Sequence, residues 1–164
     1  MSHRFKIILL SIPLSLLVFL SSACIPPTAT DTVRVTMVID GDTIIISTGQ
    51  KVRYIGIDTP EMFPEEAFAQ EATRVNREIV QGKAIRLEKD ISETDRYGRL
   101  LRYVWVDGTM VNIELTRRGL AIAKAYPPDT KYRALLEAAE LQAKLSRQGM
   151  WAQNVGAGTT PPPD

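Results

Sequence analysis

Five charged side chains interrupt two apolar runs of this 164-residue chain: Ile39-Asp40-Gly41-Asp42-Thr43, and Arg53-Tyr54-Ile55-Gly56-Ile57-Asp58-Thr59-Pro60-Glu61. Runs that otherwise read as buried β-strand carry four acids and one arginine in about two dozen residues. An unpaired buried charge is expensive, so such residues are rarely present without a use. Carboxylates close to an arginine suggest a hard cation beside a phosphate. A third piece, Asp95-Arg96-Tyr97-Gly98-Arg99, puts a tight turn ahead of a strand and throws Arg99 from the strand head. The planar guanidinium fork suits phosphate oxygens and stays charged.

Each piece also has a plainer reading. Asp-Gly is a common hairpin turn, Asp-Thr-Pro ends a strand well, and an arginine beside a turn is ordinary surface. The chain supplies its own control in Asp107-Gly108, which also joins two apolar strands but is followed by Thr109 rather than a second acid. Asp42 is therefore more than the turn requires. The donor types narrow the chemistry further. His3 is the only histidine and lies in an N-terminal segment expected to be removed, which excludes histidine-dependent catalysis and most zinc sites. A nearly all-carboxylate site without sulfur or imidazole favours Ca²⁺ or Mg²⁺. Calcium, which accepts irregular oxygen cages and is met by exported bacterial proteins, is the better expectation.

The elements that must position these residues follow from periodicity and punctuation. Val33, Val35, Met37 and Ile39 alternate with polar partners, Ile44-Ile45-Ile46 follows the acidic turn, and Val52 to Ile57 makes a third strand after Thr48-Gly49-Gln50. Phe68, Ala72, Val75 and Ile79 recur at helical spacing up to Gly82. Ala84 to Leu87 and Leu100 to Val106 read as strands, the second turning at Asp107-Gly108 into Thr109-Met110-Val111. A short helix runs from Asn112 to Arg118, and Leu120 to Ala125 forms a last extended piece. The final helix, Tyr132 to Gln148, is expected to bury Leu135, Ala138, Leu141 and Leu145. This order is α+β, and five short antiparallel strands with an inserted helix suit a closed five-stranded OB barrel with three helices.

Residues 1–23 have the form of a signal peptide: Arg4 and Lys6, then a mostly apolar run from Ile7 to Leu20 too short to span a bilayer as a permanent helix. Ser21-Ser22-Ala23 before the single cysteine resembles a bacterial lipoprotein signal, with Cys24 as the lipidated first residue. Ser21 stands where such signals usually carry leucine, and Ser21-x-Ala23 also fits ordinary secretory cleavage. The expectation is an exported, lipid-anchored envelope protein, the alternative a freely secreted one; no disulfide can form within the chain. Residues 24–31 read as the lipidated cysteine and a tether, 32–151 as one folded domain, and 152–164 as a tail not expected to order. Removing residues 1–23 takes Arg4 and Lys6 and no acid, leaving 18 basic and 19 acidic side chains. Overall charge thus says nothing for nucleic acid, and a phosphate site must be local.

Together the three charged motifs, with Gly108-Thr109-Met110-Val111-Asn112 and Arg118-Gly119-Leu120-Ala121, resemble the staphylococcal nuclease family in order and spacing. The resemblance runs from Val33 to Trp151 and implies the OB barrel with three helices. It implies that Asp42 and Asp58 bind one Ca²⁺ with the Thr59 carbonyl, with Asp40 just outside. It further implies that Glu61 orients or deprotonates the attacking water, and that Arg53 and Arg99 clamp the scissile phosphate. The implied function is a calcium-dependent extracellular endonuclease acting on DNA and RNA, preferring single strands and leaving 3′-phosphate ends. A monomer is expected, touching a membrane through an N-terminal lipid alone. The pattern weakens at Lys124-Ala125-Tyr126-Pro127-Pro128, where the family often has a lysine and two tyrosines. Tyr126 either stacks on a base or packs under the loop. Two other readings compete: a non-catalytic nucleic-acid-binding OB module, and a calcium-binding structural or adhesion lipoprotein. The first has no need of Glu61, and the second leaves Arg53 and Arg99 idle.

Overall fold

Short apolar runs separated by turn residues, β-branched above all in the first two, build the strands in the computed structural model, which describes residues 32–152. They are β1 (Thr32–Val38), β2 (Thr43–Ile46), β3 (Lys51–Tyr54), β4 (Ile57–Asp58), β5 (Ala84–Glu88), β6 (Leu100–Val106), β7 (Thr109–Met110) and β8 (Ile122–Ala123). The helices are α1 (Ala69–Val80), α2 (Val111–Arg117) and α3 (Arg133–Leu145), followed by a short 3-10 turn at Gly149–Trp151. The main sheet runs β3-β2-β1-β5-β6-β7, and a parallel pairing of β3 with β6 closes the first five into a barrel. This is the expected α+β barrel with three helices. The signal segment, Cys24 and most of the C-terminal tail lie outside the described residues. Among the described residues no helix is long and apolar enough to cross a membrane.

Two features of closure bear on the site. The parallel register sets Val52 against Leu100, Arg53 against Leu101 and Tyr54 against Arg102. Arg53 and Arg99, 46 residues apart in sequence, thereby come to one end of the barrel. The single expected strand over Val52 to Ile57 divides: β3 stays in the barrel, while β4 leaves it to pair with β8, Ile57 facing Ala123 and Asp58 facing Ile122. The break falls at Ile55-Gly56, where Asn112, fully buried on α2, donates Nδ2 to the Ile55 carbonyl at 2.9 Å and accepts the Val104 N–H at 3.0 Å.

Two packing expectations are corrected. The alternation along β1 does not run through, because a bulge between Val35 and Met37 turns Val38 inward and leaves Met37 and Ile39 exposed. On α3 the buried side chains are Leu136, Ala139 and Ala143, and Leu135, Leu141 and Leu145 are 54, 57 and 77% exposed. Ala138 is exposed as well. The physical reason is close approach: α3 packs against α2 and β8, and small alanines at i, i+3 and i+7 spacing with Leu136 admit that contact where the longer leucine stripe would hold the helices apart.

Candidate active site

The Asp40–Asp42 turn is fixed from three directions. Ile39 N–H donates to the Thr43 carbonyl at 2.9 Å, closing the turn. Asn76 of α1 donates Nδ2 to the Asp40 carbonyl at 3.0 Å while accepting the buried Tyr54 hydroxyl at 2.9 Å. Tyr54 N–H donates to the Asp42 carbonyl at 2.9 Å. Gly41 is needed for space and not for backbone conformation: its φ is not left-handed. A Cβ there would lie 2.6, 2.7 and 2.8 Å from the three side-chain heavy atoms of Thr59. Asp107-Gly108 shows the opposite case, with φ of 49° and 81° and nothing near the glycine. The two Asp-Gly pairs are therefore different objects: Asp107-Gly108 is a hairpin turn of the kind left-handed φ values permit, and Gly41 is a docking point for the second motif.

That docking satisfies Asp42. Its carboxylate is buried, with Oδ2 accepting the Thr59 N–H at 3.0 Å and the Thr59 hydroxyl at 3.1 Å, and Oδ1 accepting the Thr43 hydroxyl at 3.2 Å. Arg53, projecting from β3, bridges the two acidic motifs: Nη2 donates to Asp58 Oδ1 at 2.5 Å and Nη1 is ion-paired with Asp42 Oδ2. Burial pulls the Arg53 guanidinium below its usual pKa, and Asp58, by charge and hydrogen bond, opposes that fall. Asp40 accepts the Asp42 N–H on Oδ1 at 3.0 Å, and burial pushes its carboxyl above the ordinary range against the pull of Thr43 and Arg53.

Arg99 is aimed by a residue to which the sequence assigned no role. Asp95 Oδ1 accepts the N–H groups of Tyr97 at 2.9 Å and Arg99 at 3.0 Å, and its Oδ2 takes Arg99 Nε at 2.6 Å. Burial alone would raise the Asp95 carboxyl, but these bonds and the arginine's charge hold it below the usual carboxylate range. Glu61 is placed by a reciprocal pair of bonds, its N–H on Glu66 Oε2 at 3.0 Å and its carbonyl accepting the Glu66 N–H at 2.9 Å. Among the described residues no donor is hydrogen-bonded to the Glu61 carboxylate.

Asp40, Asp42, Arg53, Thr59, Glu61 and Arg99 line a small polar cleft of about 100 Å³. Arg53, Glu61 and Arg99 also line a larger groove of about 650 Å³ that continues past Tyr97 and Lys124 to Tyr126. Tyr126 is 61% exposed. Lys124, whose Nζ donates to Asp58 Oδ2 at 2.7 Å, joins the site from the β8 side. Asp95, Asn76, Glu66 and Lys124 were not assigned roles from sequence; the Asp-x-x-x-Arg spacing of the turn was the one available signal, since Asn76 and Lys124 reach partners far along the chain and Glu66 reads as one more loop acid.

A hard cation is compatible with the donors present. Asp42 and Asp58 offer carboxylate oxygens to one positive centre, now the Arg53 guanidinium, and no soft ligand is near. Among the described residues no cluster of three or more His, Cys, Asp or Glu side chains stands ready to ligate. The Thr59 carbonyl, water and substrate oxygens would have to complete the shell. Arg53 Nη1 is buried against the Asp42 carboxylate, so the guanidinium occupies the place between the two acids.

Comparison with known proteins gives concordant results. A family model described as staphylococcal nuclease homologue matches residues 51–153, beginning after the first acidic motif. A thermonuclease of Staphylococcus intermedius is 41% identical over 121 residues, covering 70% of this chain and 72% of that protein. A thermonuclease of Staphylococcus hyicus is 41% identical over 128 residues, covering 74% and 76%. The endonuclease YncB of Bacillus subtilis is 39% identical over 125 residues, covering 71% of this chain and 59% of that protein.

Proposed function

The chain belongs to the staphylococcal nuclease family and is a nuclease, a phosphodiester hydrolase; from that premise we propose a calcium-dependent, exported endonuclease that cuts DNA and RNA and leaves 3′-phosphate ends. The observation that carries the reading is the meeting of Arg53, Arg99 and Glu61 at the wall shared by the polar cleft and the long groove. Two guanidinium groups and a carboxylate without a donor are what phosphodiester hydrolysis needs around one phosphorus atom.

In this reading the scissile phosphate lies against Arg53 and Arg99. The Arg53 guanidinium, held between Asp42 and Asp58, donates to a non-bridging oxygen, and Arg99, steadied by Asp95, donates to another. Glu61 holds a water opposite the 5′-oxygen and takes its proton as the new P–O bond forms. The P–O5′ bond breaks, the 5′-oxygen leaves as a hydroxyl after gaining a proton from solvent, and the phosphate stays on the 3′ side. Both arginines oppose the charge that builds on the equatorial oxygens, which is the larger part of the rate gain in such sites. Asp42, Asp58 and the Thr59 carbonyl would hold Ca²⁺, with Asp40 outside the shell; when bound, the ion would supply Lewis-acid polarisation of a phosphate oxygen.

The groove that leads from the arginines to the exposed Tyr126 supports single strands as the better substrate, because an unpaired base can lie on an aromatic ring. Export by the N-terminal signal, and lipid attachment at Cys24, complete the proposal. The test is cleavage of a fluorogenic single-stranded DNA in calcium and in EGTA, with Glu61→Gln alongside. The reading expects cleavage lost in EGTA and reduced by roughly 10²–10⁴-fold in the variant, with the melting temperature of the variant unchanged. Cleavage that persists in EGTA would remove the calcium requirement, and an active Glu61→Gln would remove Glu61 from the chemistry.

A further inference from the structure

We infer that Lys124 is a third cationic contact to the nucleic-acid backbone, held on Asp58 until the cation site fills; this rests on the nuclease reading above. The β4–β8 ladder fixes the residue: Lys124 N–H donates to the Gly56 carbonyl at 2.8 Å, one step beyond the Ala123–Ile57 pair. Its ammonium donates to Asp58 Oδ2 at 2.7 Å and lies 5.7 Å from the centre of the Tyr126 ring. It therefore stands between the bond-breaking end of the groove and its aromatic far end.

The other two cations at the reacting end are differently placed. Arg99 is held by Asp95, which no proposed metal contact claims, and Arg53 is half-buried and wedged between two acids. Lys124 is 43% exposed, and Asp58, its carboxylate partner, is also one of the two proposed to take the cation. A divalent ion on the Asp58 carboxylate competes directly with the ammonium. An exposed ion pair of this kind is weak, so it yields readily. A lysine displaced from Asp58 swings on a flexible four-carbon stem. The anion within its reach along the groove is the phosphodiester between the cleaved linkage and the base on Tyr126. The carboxylate thus holds the lysine in place until cation and substrate arrive together.

The test uses the full chain carrying Glu61→Gln, so that DNA is bound without being cut. Binding of a labelled single-stranded oligonucleotide is measured in calcium from about 50 to 200 mM salt, with and without Lys124→Met or Lys124→Arg. One lost phosphate contact lowers the slope of log affinity against log salt by about 0.7. The inference expects that change in Lys124→Met with weaker binding, and a retained slope in Lys124→Arg. It also expects Lys124→Met to bind calcium more tightly without DNA, read by calorimetry, because a competitor for Asp58 is gone. An unchanged salt slope, or weaker calcium binding in Lys124→Met, overturns it: the lysine would then only steady Asp58. Failure of the Glu61→Gln parent to bind the oligonucleotide overturns the inference together with the nuclease reading beneath it, whereas parental binding with no effect of Lys124→Met overturns the inference alone.

Discussion

Replacing Gly41 by alanine tests whether the two acidic motifs are held together by close approach. The added Cβ would fall 2.6–2.8 Å from all three side-chain heavy atoms of Thr59, where ordinary contact begins near 3.4 Å. Either the turn or Thr59 must retreat by roughly 0.7 Å, and overpacking of this kind costs about 1–3 kcal/mol. The retreat also strains the two hydrogen bonds that Thr59 makes to Asp42 Oδ2, at 3.0 and 3.1 Å, each worth about 1 kcal/mol. Against this, alanine stiffens the unfolded chain and stabilises by about 0.4–1 kcal/mol, since φ at residue 41 is not left-handed. The clash wins, and the net expectation is a loss of about 1.5–3 kcal/mol. The assay is urea unfolding followed by tryptophan fluorescence, run also on Thr59→Gly and on the double variant. The double variant should be less destabilised than the sum of the single changes, because removing the Thr59 side chain removes the obstacle. A Gly41→Ala protein as stable as the parent, or additivity in the cycle, would refute the argument and return Gly41 to the status of a turn residue.

The corrected face of α3 predicts opposite outcomes for neighbouring leucines. Leu136→Ala should cost about 2–4 kcal/mol by urea unfolding, whereas Leu141→Glu should stay within about 0.5 kcal/mol; a reversed order would restore the face read from the leucine pattern. Asp129 predicts a pH dependence. Burial raises its carboxyl, but the N–H groups of Ser92 and Ile91, at 2.8 and 2.9 Å, with a contribution from the Ser92 side chain, bring it below the ordinary value. A depressed folded-state pKa contributes stability above the unfolded value and loses it as pH falls through the folded value. The melting temperature of Asp129→Asn should therefore lie below that of the parent at pH 7, with the gap narrowing as the pH drops below about 4. A gap that widens on acidification would reverse the sign of the linkage.

Most of the barrel was legible because its strands are apolar, short and set apart by turn residues. What was not legible depends on partners far along the chain. The bulge that exposes Met37 leaves no mark on an alternating pattern, since Met37 is as apolar as the residue it displaces. The division of Val52 to Ile57 into β3 and β4 falls inside an unbroken apolar run, and its cause, Asn112, lies 57 residues from Ile55. On α3 the hydrophobicity of leucine pointed to one face, and the face that packs against α2 and β8 carries Leu136 with the small Ala139 and Ala143. The charged residues stood out because an acid in a strand breaks the pattern. Their supports did not: Asn76, Glu66 and Lys124 look like ordinary helix, loop and strand-end residues, and Asp95 like one more turn acid. Gly41 carried the right letter for a turn and served a different need.

The parallel pairing of β3 with β6 has a consequence for when this protein becomes dangerous to nucleic acid. That pairing joins residues 48 apart, Arg53 to Leu101, and it is the contact that turns an open sheet into a cylinder. Until it forms, β3 and β6 lie far apart in the open sheet, so Arg53 has Asp42 and Asp58 nearby while Arg99, at the head of β6, stays away from it, and the proposed two-sided grip on a phosphate is not assembled. On the proposed roles of the two arginines, a chain that has made its helices and hairpins but not this pairing has no assembled phosphate site, and cleavage becomes a report on the completeness of the cylinder.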